Sequence, residues 1–125
     1  MTIKGKCHCG AVHYEFRDTP EWATRCNCSI CRRLGTLWIY TDAANITINA
    51  DDTNTLSYSH GDKDLDFRTC KTCGTTILWQ SAKNPGKGRT AVNLNMAELD
   101  VITKIPVRHF DGADSWKFLD DQPGW

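Results

Sequence analysis

Apolar and polar positions alternate along this chain in short bursts, and no stretch keeps a helical spacing over a usual helix length. Val12, Tyr14 and Phe16 alternate with His13, Glu15 and Arg17, the period of two that marks a half-buried strand. Residues 45–49 and 55–59 repeat the alternation in shorter form. Residues 36–41 are rich in β-branched and aromatic types and predict a largely buried strand. Further short strands are predicted at 22–25, 75–80, 89–95 and around 107–109, with one helical turn at 96–100. Turn signals separate them: Asp18-Thr19-Pro20, the polar 51–54, the charged 60–66 and Asn84-Pro85-Gly86-Lys87-Gly88. The pattern predicts an all-β, or mainly β, chain built of small antiparallel sheets packed together. A parallel α/β sheet is excluded because no crossover helices exist to cover it.

The cysteines add chemistry to this picture. All seven fall in three clusters: Cys7 and Cys9 ahead of Gly10, Cys26, Cys28 and Cys31 ahead of Arg32 and Arg33, and Cys70 and Cys73 ahead of Gly74. The first pair precedes a predicted strand, and the triple occupies a loop or one short helical turn between two strands. Residues 1–7 lack the apolar run of a secretory signal, so the chain as written is expected in the cytoplasm, where disulfides are a poor default. Seven is odd, and a division into four and three suits one closed and one open zinc site. Zinc knuckles at the strand ends would then clamp the sheets.

Each cluster has a plainer alternative. Cys70 and Cys73 could be a redox dithiol, but that motif belongs at a helix start in a βαβ unit, which is not predicted here. Cys7 and Cys9 could be two small buried residues of an extended segment; pairing them with Cys70 and Cys73 completes four ligands and favours zinc. Cys26, Cys28 and Cys31 supply three ligands and leave a position open, the usual arrangement of a catalytic zinc, which an incoming thiol could occupy. A histidine could instead close that site, or it could stay empty at ordinary zinc levels. His8 and His13 are expected to point outward, leaving His60 and His109 as the candidates for a fourth ligand. Arg32 and Arg33 either offset thiolate charge or bind a substrate carboxylate through their planar forks. Asn93, Asn95 and the acidic stretch 62–66 are weaker candidates for pocket contacts, and Trp38, Trp79 and Trp116 read as core or rim aromatics.

Length and charge narrow the function further. The 125 residues fit one domain spanning 1–125, with 40% hydrophobic and 24% charged residues and no apolar run long enough to span a membrane. Fifteen Lys and Arg balance fifteen Asp and Glu, and thiolates gathered around dications would leave the protein net negative. That is not the profile of a nucleic-acid binder.

The motif set C-H-C-G at 7–10, C-N-C-S-x-C-R at 26–32, the aromatic-led C-x-x-C-G at 67–74 and an acidic-aromatic tail around Trp116 resembles a known family. It is similar to the glutathione-dependent formaldehyde-activating enzymes and the related centromere protein V-like group. The resemblance implies an Mss4-like fold of packed sheets, a structural zinc at Cys7, Cys9, Cys70 and Cys73, and a catalytic zinc at Cys26, Cys28 and Cys31, matching the division already drawn. It also implies a carbon-sulfur lyase that joins a glutathione-like thiol to a small aldehyde such as formaldehyde, giving an S-hydroxymethyl adduct, or cleaves that adduct. Zinc at the triple would lower the thiol pKa. The alternatives are a non-catalytic zinc-stabilised β binding module and a thiol or metal buffer.

Overall fold

A computed structural model describes residues 2–121. Strand outweighs helix, 39% to 12%, in keeping with the mainly β expectation. β1 (Ile3–Lys6), β2 (His13–Phe16) and β5 (Ile46–Ile48) form a three-stranded antiparallel sheet in the order β1-β2-β5. β3 (Ala23–Cys26), β4 (Trp38–Asp42), β6 (Thr55–Tyr58), β7 (Leu65–Cys70), β8 (Thr76–Ser81), β9 (Arg89–Asn93) and β10 (Val107–Phe110) form a second sheet. Its order is β10-β3-β4-β9-β8-β7-β6.

Alternation in the sequence becomes sidedness in the structure. Side chains along a strand point to opposite faces, and in the large sheet Ile39, Leu78 and Val92 lie in register on one face. They share a core with Ile3, Val12, Tyr14 and Phe16 of the small sheet. Tyr40, Trp79 and Ala91 are the next residues in register and take the other face, where Trp38 and Phe67 also pack. The large sheet thus buries one face against the small sheet and turns an aromatic face toward Cys26 and Cys31.

One buried hydrogen bond joins the sheets. The Tyr14 hydroxyl donates to the Asn93 carbonyl at 3.0 Å. Gly5 makes room for that ring, since a Cβ there would lie 2.3 Å from Tyr14 Cζ. Asn93 is itself a hub: its side-chain oxygen accepts from the Leu37 and Asn95 amides, and its Nδ2 donates to the Thr76 carbonyl at 2.9 Å.

Three features depart from the sequence expectation. β1 was not anticipated, because the pattern of Ile3–Lys6 buries only one large apolar side chain beside a glycine. The expected helical turn at 96–100 is displaced: a 3-10 turn at Leu94–Met96 begins where Asn93 caps the Asn95 amide, and the helical turn comes at Leu99–Ile102. The sheets are not all antiparallel, since β10 pairs parallel with β3.

Candidate metal centres

Cys7 and Cys9 follow the end of β1, while Cys70 ends β7 and Cys73 lies in the turn that leads to β8. The two turns are built alike. The Cys7 amide donates to the Val12 carbonyl and the Cys70 amide to the Thr75 carbonyl, each at 2.9 Å. Gly10 and Gly74 close them at φ +83° and +78°, the left-handed region in which glycine is favoured. The four sulfurs lie within 4.8 Å of one another, with Cys9 Sγ 3.6 Å from both Cys7 Sγ and Cys70 Sγ. Tetrahedral coordination by thiolates at about 2.3 Å requires sulfurs about 3.8 Å apart, so this donor set could hold a metal ion. Hydrogen bonds favour the thiolate at Cys70 and Cys73, whereas, against the pull of the Ala11 amide, burial and the neighbouring Cys7 and Cys70 thiols push Cys9 up to about 11. The Val12 amide donates to Cys7 Sγ at 3.3 Å, and the Thr75 hydroxyl beside Cys73 holds that thiol down at about 5. The Cys73 amide pulls the Cys70 thiol below its ordinary value.

Cys26, Cys28 and Cys31 lie on one connection, between the end of β3 and the single-turn helix α1 (Cys31–Leu34), and their sulfurs also fall within 4.8 Å of one another. The helix ends at Gly35, φ +65°, whose amide donates to the Cys31 carbonyl. Three N–H groups point at these sulfurs: the Cys28 amide at Cys26, the Cys31 amide at Cys28, and the Trp38 indole at Cys31, at 3.5, 3.4 and 3.4 Å. The neighbouring Cys31 thiol draws Cys26 down to about 6, and Cys26 together with burial pushes Cys31 up. Such a set of soft, partly ionised donors suits a metal ion.

Beside the triple lies a cavity of about 650 Å3. Trp38, Tyr40, Phe67 and Trp79 of the large sheet line it, together with Phe110 at the end of β10 and Gly112, Ala113 and Trp116 from the segment after it. That segment folds back and is fastened by Asn27, which stands between two of the cysteines. Asn27 Nδ2 donates to Asp111 Oδ1 and its Oδ1 accepts from the Ala113 amide, both at 2.9 Å. Gly112 sits directly on the sulfur, where a Cβ would approach Cys26 Sγ to 2.6 Å. A separate cleft of about 570 Å3, with Asp18, Glu21, Trp22 and Arg89 among its lining residues, contains no cysteine.

The remaining sequence candidates divide. Arg32 lines the cavity, whereas Arg33 turns back to donate to the Ser29 carbonyl at 2.7 Å and takes no part in the lining. Among the described residues no histidine or carboxylate joins either sulfur cluster. His60 does reach the cavity rim, stacked on Tyr58 at 6.3 Å, and His109 lies half-buried on β10 opposite Arg25. Asn93 and Asn95 are not pocket residues: Asn93 is buried in the hub between strands, and Asn95 Nδ2 donates to the Gly35 carbonyl. In the acidic stretch only Leu65 lines the cavity; Asp66 turns inward to Ser57, Gln80 and Arg68, whose Nε lies 2.7 Å away. Asn27, Tyr40, Phe110 and Gly112 were missed. Only Asn27 carried a local signal, its place between two ligand candidates.

These features define a mainly β protein with two cysteine clusters able to bind metal, one set in a turn-to-turn clamp and one facing a cavity. The chain matches the model of the glutathione-dependent formaldehyde-activating enzyme family over residues 2–109 and belongs to that family. The matched span ends before Trp116, so that part of the motif resemblance lies outside it. A crystal structure of a Rhodobacter sphaeroides protein is similar at 28% identity and a TM-score of 0.66, over 84% of this chain and 99% of that one.

Proposed function

We propose that both clusters hold zinc and that the protein is a carbon-sulfur lyase-type enzyme of the cytoplasm, working as one domain on a thiol and a small aldehyde. The observation that carries this reading is the asymmetry of the clusters. Four sulfurs close on one another in the clamp, while the other three stand beside a cavity large enough for a small molecule. Family membership supports the choice of thiol and aldehyde, with glutathione and formaldehyde the first pair to test.

In the forward direction the thiol sulfur forms a bond to the carbonyl carbon, the C=O π pair moves to oxygen, and the thiol proton ends on that oxygen; cleavage is the reverse. A zinc ion held by Cys26, Cys28 and Cys31 would supply Lewis acidity, favouring the thiolate near neutral pH. The protein's own groups orient and exclude. The Trp38 indole and the Cys28 and Cys31 amides hold the three sulfurs in place. The Tyr40 phenol, pushed up to about 12 by burial, keeps its proton at neutral pH, and its ring lines the cavity. Arg32 sets a cation at the cavity, where it can offset the charge of the thiolates. The test is adduct formation from formaldehyde and a panel of thiols, compared with the spontaneous rate, for the wild type and Cys28→Ser. Acceleration by the wild type alone is expected. No acceleration by protein carrying two zincs would leave a zinc-stabilised binding module.

A further inference from the structure

We infer that the thiol this site selects carries an uncharged aryl group in place of the charged termini of a peptide thiol such as glutathione; this rests on the thiol-and-aldehyde reading above. The composition of the cavity carries the inference. Rings supply most of its bulk: Trp38, Tyr40, Phe67 and Trp79 on the sheet side, Phe110 and Trp116 across from them. Ile30 and Leu65 add aliphatic surface. Arg32 is the single Lys or Arg of the lining among the described residues, and no carboxylate lines it.

Glutathione at neutral pH carries two carboxylates and an ammonium. Bringing those groups against aromatic walls strips water from charges that find one guanidinium, the His60 imidazole at the rim and the short Asn27 and Ser29 side chains, and no carboxylate for the ammonium. An aryl group has the opposite balance, since offset and edge-to-face contacts with the rings add to the burial of its own surface.

Trp116 supplies a second, independent observation. It is 71% exposed yet bent into the left-handed region at φ +60°, where a bulky residue is an outlier. Its ring meets Phe110 edge-on at 5.1 Å and lies at the cavity wall over Gly112. A strained backbone that keeps a large ring in solvent gains nothing for the core, but it sets a stacking surface at the mouth of a site. Tyr40 and Trp79, 6.1 Å apart with planes at 57°, present ring surface on the sheet side.

The experiment is calorimetric titration of the two-zinc protein with phenylmethanethiol and with glutathione, followed in parallel by tryptophan fluorescence. Phenylmethanethiol is expected to bind at least about tenfold more tightly and to change the fluorescence. Trp116→Ala and Leu65→Lys should each reduce that preference severalfold, with two zincs and the circular dichroism spectrum retained; using two rim variants guards against one that fails to fold. Glutathione binding as well or better would overturn the aryl preference and leave the thiol-binding site standing. Binding of neither thiol would overturn the proposed function with it. A preference unchanged in both variants would overturn the assignment to this cavity.

Discussion

Gly112 shows how a residue without a side chain can govern a metal centre. A methyl group there would sit 2.6 Å from Cys26 Sγ, closer than real Cβ contacts come, and 3.2 Å from Cys28 Cβ, a tight contact. The backbone at 112 is not in the left-handed region, so the whole consequence of Gly112→Ala falls on the sulfurs. Overpacking of this kind costs about 1–3 kcal/mol when the surroundings must move. Gly112→Ala is therefore expected to lose the ion at the triple and keep the one in the clamp, halving the metal carried per chain in native mass spectrometry while circular dichroism stays unchanged. Full metal content would show that the loop yields without disturbing the ligands. The cysteines were legible in the sequence because their spacing is local, two or three positions apart. Gly112 was not, since its importance lies in a contact with residues more than eighty positions earlier, and nothing in its own neighbourhood records that contact.

Among the elements, the segment after β10 is held by one knot. Asp111 accepts from Asn27 Nδ2, from the Ser115 amide at 3.0 Å and from the Ser115 hydroxyl at 2.7 Å, while the Trp116 amide donates to the Asp111 carbonyl. Removing the Asn27 side chain breaks two of the hydrogen bonds tying this segment to the cysteine loop. Asn27→Ala should cost about 1–2 kcal/mol, read as a lower urea midpoint with unchanged slope. The same knot has a pH signature. Hydrogen bonds from Asn27, then Ser115, hold the Asp111 carboxyl below its ordinary value of 3.8 in the folded protein. A group depressed in the folded state stabilises it fully above its unfolded value and loses that contribution as the pH falls through the folded value. Carbon-13 titration of the Asp111 carboxyl should therefore give a midpoint below 3.8 that rises in Asn27→Ala; a wild-type midpoint at or above the ordinary value would contradict the knot. Strands with clear alternation, β2 above all, could be read from the chain. The parallel docking of β10 on β3 could not, because a strand of four residues encodes its own two faces and says nothing about which edge it joins or in which direction.

For the whole molecule, the two clusters make opposite demands on the fold. Cys9 and Cys70 stand 61 positions apart, the first beyond a strand of the small sheet and the second at the end of a strand of the large one. An ion bound there ties the two sheets together and closes a long loop, as a cross-link does. Cys26, Cys28 and Cys31 come from one connection within the large sheet, so an ion bound there ties that sheet only to itself. Paired substitutions separate the two roles. Cys73→Ser should lower the unfolding free energy of the metal-loaded protein by at least about 3 kcal/mol, a fraction of what structural zinc contributes in small domains. Cys28→Ser should lower it by a smaller amount, since the ion it removes links no separate sheets and closes only a short loop. Urea unfolding at fixed free zinc checks both. Equal losses would mean that the triple is as structural as the clamp, since the core shared by the two sheets would then depend on both ions. The expected inequality would mean that the fold stands without the second ion, leaving the cavity-facing cysteines free to serve chemistry.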